Sequence, residues 1–129
     1  MIVADTDVMV DLLRSFQPAI QWLESLNDRV ILPGFVVMEL IDGCTDRSDQ
    51  RRVERTIHPF PITWPSRETL NLALSAFADH HLRHGLSMLD AIIGQTAADL
   101  GLPLATFNRK HYSVIRGLQT IQPYPRSKD

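Results

Sequence analysis

Short apolar runs separated by helix-patterned segments set the rhythm of this chain. Ile2–Asp5, Arg29–Leu32, Phe60–Trp64 and Leu104–Phe107 read as buried strands, and a weaker run covers Leu118–Ile121. Pro18 suits a first helical turn, and Ile20, Leu23 and Leu26 follow at helical spacing. Val36, Val37, Leu40 and Ile41 make a second apolar face. Asp46–Ile57 reads as a polar helix, and Ser66–His84 as a longer one carrying Leu70, Ala73, Leu74 and Phe77. Ser87–Leu100 places Leu89, Ile92, Ile93 and Ala97 on one side, with Gly101 as its stop. Strands alternating with helices predict an α/β domain with a parallel sheet. In such sheets ligands gather beyond the carboxyl ends of the strands, where the strand order reverses.

At 129 residues, 44% of them hydrophobic, the chain is long enough for one domain with a real core. No apolar run approaches the roughly 20 residues of a membrane span, and Met1 leads straight into a strand without a signal peptide. A cytoplasmic protein with no membrane partner is expected. The tail from Gln122 to Asp129 is polar and proline-containing and predicts a loose end. Cys44 is the only cysteine, which excludes an internal disulfide. The net charge of −2, from 13 basic and 15 acidic residues, is unlike that of a protein that coats nucleic acid. It does not exclude an enzyme whose acids face inward onto metal ions.

Several acids stand where chemistry belongs. Asp5 ends the first strand and reads either as a helix cap or as a metal ligand, and Asp7 just after it favours the cap. Glu39 has apolar flanks, although its side chain has a solvated route beside Asp42. Asp90, in Ser87-Met-Leu-Asp90, also fits a capping box. Asn108 ends another strand, as a site residue or a turn residue. Carboxylates converging on one pocket repel unless a cation intervenes, and Mg²⁺ or Mn²⁺ suits such all-oxygen donors.

The runs Met1-Ile-Val-Ala-Asp-Thr6, Val37-Met-Glu-Leu-Ile-Asp-Gly43, Met88-Leu-Asp-Ala-Ile-Ile93 and Gly101-Leu-Pro-Leu-Ala-Thr-Phe-Asn108 together resemble the PIN domain. More narrowly they resemble the VapC toxins of toxin–antitoxin pairs. The resemblance implies a three-layer α/β/α domain over residues 1–122 with a central parallel sheet of four to five strands, followed by a tail over 123–129. It implies Asp5, Glu39 and Asp90 as ligands of Mg²⁺ or Mn²⁺, with Asn108 where the family has a fourth Asp or Asn. Thr106 matches a hydroxyl that lines the site, with Thr6 and Asp7 as accessory residues. The implied activity is hydrolysis of RNA to a 5′-phosphate and a 3′-hydroxyl. The implied partners are a cognate antitoxin and a second copy in a homodimer. Asp7 departs from the family, which more often has Ser, Thr or Asn there.

Two other readings fit some of these residues. Asp5-Thr6-Asp7 matches the nucleophile motif of haloacid-dehalogenase-like phosphatases, with Lys110 as the sole internal lysine to meet a phosphoryl group. A PIN-like module that binds without cutting is the other. His80 and His84 have a spacing that also suits zinc, or else charge a helix C-terminus. Arg47, Arg51 and Arg55 read as a solvated helix face, or else as a rim contacting RNA phosphates or a partner. Arg109 and Lys110 follow Asn108 directly and are placed to touch a substrate phosphate.

Overall fold

The computed structural model describes residues 1–126. The chain begins with β1 (Ile2–Ala4), α1 (Thr6–Leu13), α2 (Gln17–Ser25) and β2 (Val30–Pro33), then α3 (Gly34–Asp42), α4 (Arg47–Ile57) and β3 (Ile62–Thr63). The α5–α6 pair (Arg67–His84 and Met88–Leu100) follows, then β4 (Leu104–Ala105), α7 (Arg109–Tyr112) and β5 (Thr120–Ile121). The strands lie in the order β3-β2-β1-β4-β5 and every neighbouring pair is parallel. The alternation predicts this parallel α/β sheet, and the resemblance implies its three-layer α/β/α arrangement.

A parallel sheet needs cover on both faces, and its strands are accordingly apolar throughout. Val3, Leu32 and Leu104 pack with Val36 of α3 and Ile93 and Ala97 of α6. Ile2 and Ala105 pack with Val8 of α1, Ala19 of α2 and Tyr124. The strands are shorter than expected because the chain turns out of them. Phe60 closes a turn onto the Ile57 carbonyl, and Leu118 one onto that of Ile115. At the other end, sheet-like bonding outlasts β1 and β4 by a residue: the Asp5 N–H donates to Ala105 and the Thr106 N–H to Ile121. That extra step points both side chains out of the carboxyl edge.

Gly101 terminates α6 at a φ of 68°, a left-handed cap that glycine adopts without strain. The α4 helix is polar but not wholly solvated, since it buries Val53 and Ile57 against the core. Cys44 is a free, half-buried thiol. Among the described residues no helix is long and apolar enough to cross a membrane.

Residues 123–126, expected as part of a loose tail, include an anchored side chain. Tyr124 is buried, its ring lies against Phe16, Trp22 and Phe107, and its hydroxyl donates to Asp11 at 2.7 Å. An aromatic ring among proline and polar neighbours is the anchor that the composition of the segment obscures. The rest of the predicted tail, residues 127–129, lies outside the described residues.

Candidate active site

The strand order reverses at β1, whose successor β2 lies on one side and β4 on the other. The crevice above this reversal is where an open parallel sheet binds ligands. Asp5 follows β1 and Thr106 follows β4, so the two face each other across it. Asp5 is also the cap of α1: one oxygen accepts the Thr6 N–H at 2.8 Å and the other accepts the Thr106 hydroxyl at 2.7 Å. Cap and candidate site residue are thus one side chain.

The Thr106 hydroxyl in turn accepts the Asn108 N–H at 3.0 Å. Asn108 donates its side-chain amide to Asp90 at 3.0 Å, and Tyr112 donates its hydroxyl to the other Asp90 oxygen at 3.1 Å. Ser87 does cap α6, by accepting the Asp90 N–H. The reciprocal half of a capping box is missing because the Asp90 carboxylate turns to Asn108 and Tyr112 instead. Glu39 is half-buried on α3, and accepts the Thr6 hydroxyl at 2.7 Å. Thr6 therefore links Glu39 to the residue beside Asp5.

Asp7 does not cap the helix. Its carboxylate reaches across to β4 and accepts the Phe107 N–H at 3.0 Å, while its other oxygen is buried without a partner. The reason is positional: Asp5 already holds the cap, and Asp7, in the first turn, faces the β4 exit.

Burial dominates the electrostatics, and like charges add to it. Burial foremost, then the Asp7 and Asp90 carboxylates, push the Asp5 carboxyl up to about 7. Burial also raises Asp7, against the N–H donors that favour its charged form. The Tyr112 hydroxyl is held protonated by burial and by Asp5 and Asp90, so it can only donate to them. No three His, Cys, Asp or Glu side chains close on a single point among the described residues. The donor chemistry nevertheless fits a hard divalent cation: the acids are oxygen donors, Asp7 Oδ1 beside them is buried without a partner, and the Asp7 and Asp90 carboxylates raise Asp5.

Sequence reasoning did not assign a role to Tyr112, although its four-residue step from Asn108 is the helical spacing that brings both to Asp90. It also missed a groove of about 290 Å³ beside Thr6 and Glu39, lined in part by Arg14 and Arg52. Arg52 pairs with Asp49 at the i,i+3 spacing of a helix, but it also donates to the Leu13 carbonyl, which neither periodicity nor charge pattern signals. Arg109 opens α7 and donates to the Thr120 hydroxyl at 3.3 Å, and Lys110 is exposed. The His80 and His84 rings lie 5.3 Å apart while His81 stacks on Phe77, so the histidines face different surroundings and gather no third ligand.

The PIN domain family model matches residues 2–117. Among solved structures, a toxin–antitoxin complex from Klebsiella pneumoniae contains a chain 25% identical to this one. The match covers 96% of this chain and 98% of that one, at a TM-score of 0.78. The FitAcB structure from Neisseria gonorrhoeae is 23% identical over 95% and 98% of the two chains, with a TM-score of 0.76. DNA-bound VapBC from Salmonella typhimurium is 19% identical over 93% and 96%, with a TM-score of 0.78. The last two speak for the fold alone. A comparison with curated protein sequences gave no match. The haloacid-dehalogenase-like reading loses its ground here, because the PIN domain model covers Asp5-Thr6-Asp7 and nearly all of the chain.

Proposed function

Because this chain belongs to the PIN-domain family, we propose that it is a Mg²⁺- or Mn²⁺-dependent endoribonuclease, and the toxin of a toxin–antitoxin pair. The observation that carries the reading is the bonded path Asp5–Thr106–Asn108–Asp90, which holds two acids in fixed orientation across the strand-order reversal. Asp5, Asp90 and Glu39 would hold the ion. Once bound, the ion would supply Lewis acidity for phosphodiester hydrolysis.

The protein's own share is orientation. Asn108 and Tyr112 each occupy one Asp90 oxygen with a donor, which fixes the rotation of the carboxylate. Thr106 does the same for Asp5. Thr6 steadies Glu39 at the mouth of the groove where Arg14 and Arg52 stand. The Arg14 guanidinium there, with Arg109 and Lys110 after Asn108, suits the phosphates that flank a scissile bond.

The toxin role, with a cognate antitoxin as partner, rests on similarity to the Klebsiella toxin–antitoxin complex, while a homodimer and a cytoplasmic site of action are proposed on the family resemblance alone. The single test is cleavage under metal control. Purified protein should cut RNA with Mg²⁺ or Mn²⁺, lose the activity in EDTA and regain it when the ion returns. Full activity in chelator would refute metal dependence. No cleavage under any condition, together with no Mn²⁺-linked rise in thermal midpoint, would leave the non-cutting module as the better reading.

A further inference from the structure

Residues 124–126 bond to the elements that carry the site although no part of the proposed chemistry needs them. The Arg126 guanidinium donates to one Asp11 oxygen through Nε at 3.1 Å and through Nη2 at 2.7 Å. The Tyr124 hydroxyl donates to that same oxygen at 2.7 Å. The other face of the guanidinium lies 3.9 Å over the Phe107 ring, and the Tyr124 ring meets Phe107 edge-on at 5.0 Å. One side chain thus grips α1 through Asp11 and the β4 exit through Phe107.

Phe107 is the residue between Thr106 and Asn108. Its N–H is already held by Asp7, so the turn is fixed at its backbone from α1 and at its ring from Arg126. The turn's conformation is what delivers the Thr106 hydroxyl to Asp5 and the Asn108 amide to Asp90. We propose that residues 124–126 form a strap that sets the geometry of the Thr106–Asn108 turn, with Arg126 as a positioning residue for phosphodiester hydrolysis. This rests on the nuclease reading above for its effect on rate, but not for its effect on geometry.

The strap should matter more to rate than to stability. Arg126 is 38% exposed on its side chain, and an ion pair in that setting adds little to folding. A displacement of about 1 Å at a reacting centre, in contrast, costs up to about a hundredfold in rate. Arg126→Ala should therefore lower kcat by about tenfold, with KM within about twofold and the thermal midpoint within a few degrees. Arg126→Lys keeps a cation over Phe107 and should recover part of the loss. In amide-resolved NMR of the metal-free protein, the Phe107 backbone and Asn108 side-chain signals should move in Arg126→Ala and return toward wild type in Arg126→Lys.

Unchanged kcat in Arg126→Ala, or loss of kcat and thermal midpoint together without rescue by lysine, would overturn the strap. If wild-type protein cuts no RNA, the nuclease reading fails by itself. The NMR signals then decide: unmoved signals overturn the strap, and the predicted movement upholds it as a geometric device.

Discussion

Asp5 accepts the Thr6 N–H on one oxygen and the Thr106 hydroxyl on the other, yet burial and the neighbouring carboxylates still lift it to about 7. Carboxyls perturbed in this way cluster at functional sites, which supports the proposed role of Asp5. Asp5→Asn should leave the fold intact, since the new amide can donate to the Thr106 oxygen. It should lower RNA turnover about a thousandfold, the size expected when several kcal/mol of transition-state stabilisation go with the ion. Asp90→Asn should behave alike. Specific activity retained in either variant would reduce that acid to a cap. In the sequence Asp5, Glu39 and Asp90 each pass for a cap or a solvated side chain, and only the four runs that resemble the PIN domain single them out together. The sequence left Asp7 misread, because a helix-start acid looks the same whether it caps its own helix or reaches a strand a hundred residues away. Tyr112 and Arg126 stayed hidden for the same reason: their partners are distant in the chain.

At the scale of elements, the packing of α6 on α7 decides where Asp90 meets its donors. Gly94 lies one turn beyond Asp90, and a Cβ there would overlap Ile115 Cδ1 and press on the Tyr112 ring. Alanine at this position gains about 1 kcal/mol in helix propensity, against about 1–3 kcal/mol for overpacking a filled core. Gly94→Ala should thus be neutral to mildly destabilising in a denaturant titration. The informative readout is cleavage, which should fall several-fold as the Tyr112 hydroxyl is levered off Asp90. A more stable variant with full activity would show that the close approach is slack. The elements themselves were legible wherever periodicity ran long, as in Ser66–His84 and Ser87–Leu100, which match α5 and α6 to within a residue. Strand ends were less so, since β3 and β5 keep only two residues each and their apolar flanks belong to turns. The glycine that admits Tyr112 sits inside a helix-patterned run, where sequence alone records only a lost methyl group.

Over the whole molecule, the buried acids should invert the usual response of a carboxylate-rich protein to pH. A folded-state carboxyl raised from 3.8 to about 7 holds its proton over a range where the unfolded chain has released it. The folded state then binds more protons, and stability falls as pH rises through that window. Asp7, also raised, acts in the same direction, whereas Asp28, lowered by the N-terminal ammonium at the exposed edge, opposes it. Because 3.8 to about 7 spans roughly three pH units at about 1.4 kcal/mol each, Asp5 sets an upper bound of a few kcal/mol. In chelator, wild-type protein should lose stability between about pH 4 and pH 7 relative to Asp5→Asn, which carries no such proton. The difference between the two should be small at pH 4, grow to its full value near pH 7 and stay level above it. Working with the difference cancels every other titrating group that the substitution leaves undisturbed. Adding Mn²⁺ above pH 7 should stabilise wild type and leave Asp5→Asn nearly unmoved, since a ligand shifts stability only through the state it binds. Denaturant midpoints for both proteins at half-unit pH steps, with and without the ion, measure this directly. A stability difference that is flat across the window would mean that Asp5 ionises freely in the fold, and that the crowding of acids above the sheet costs the protein nothing.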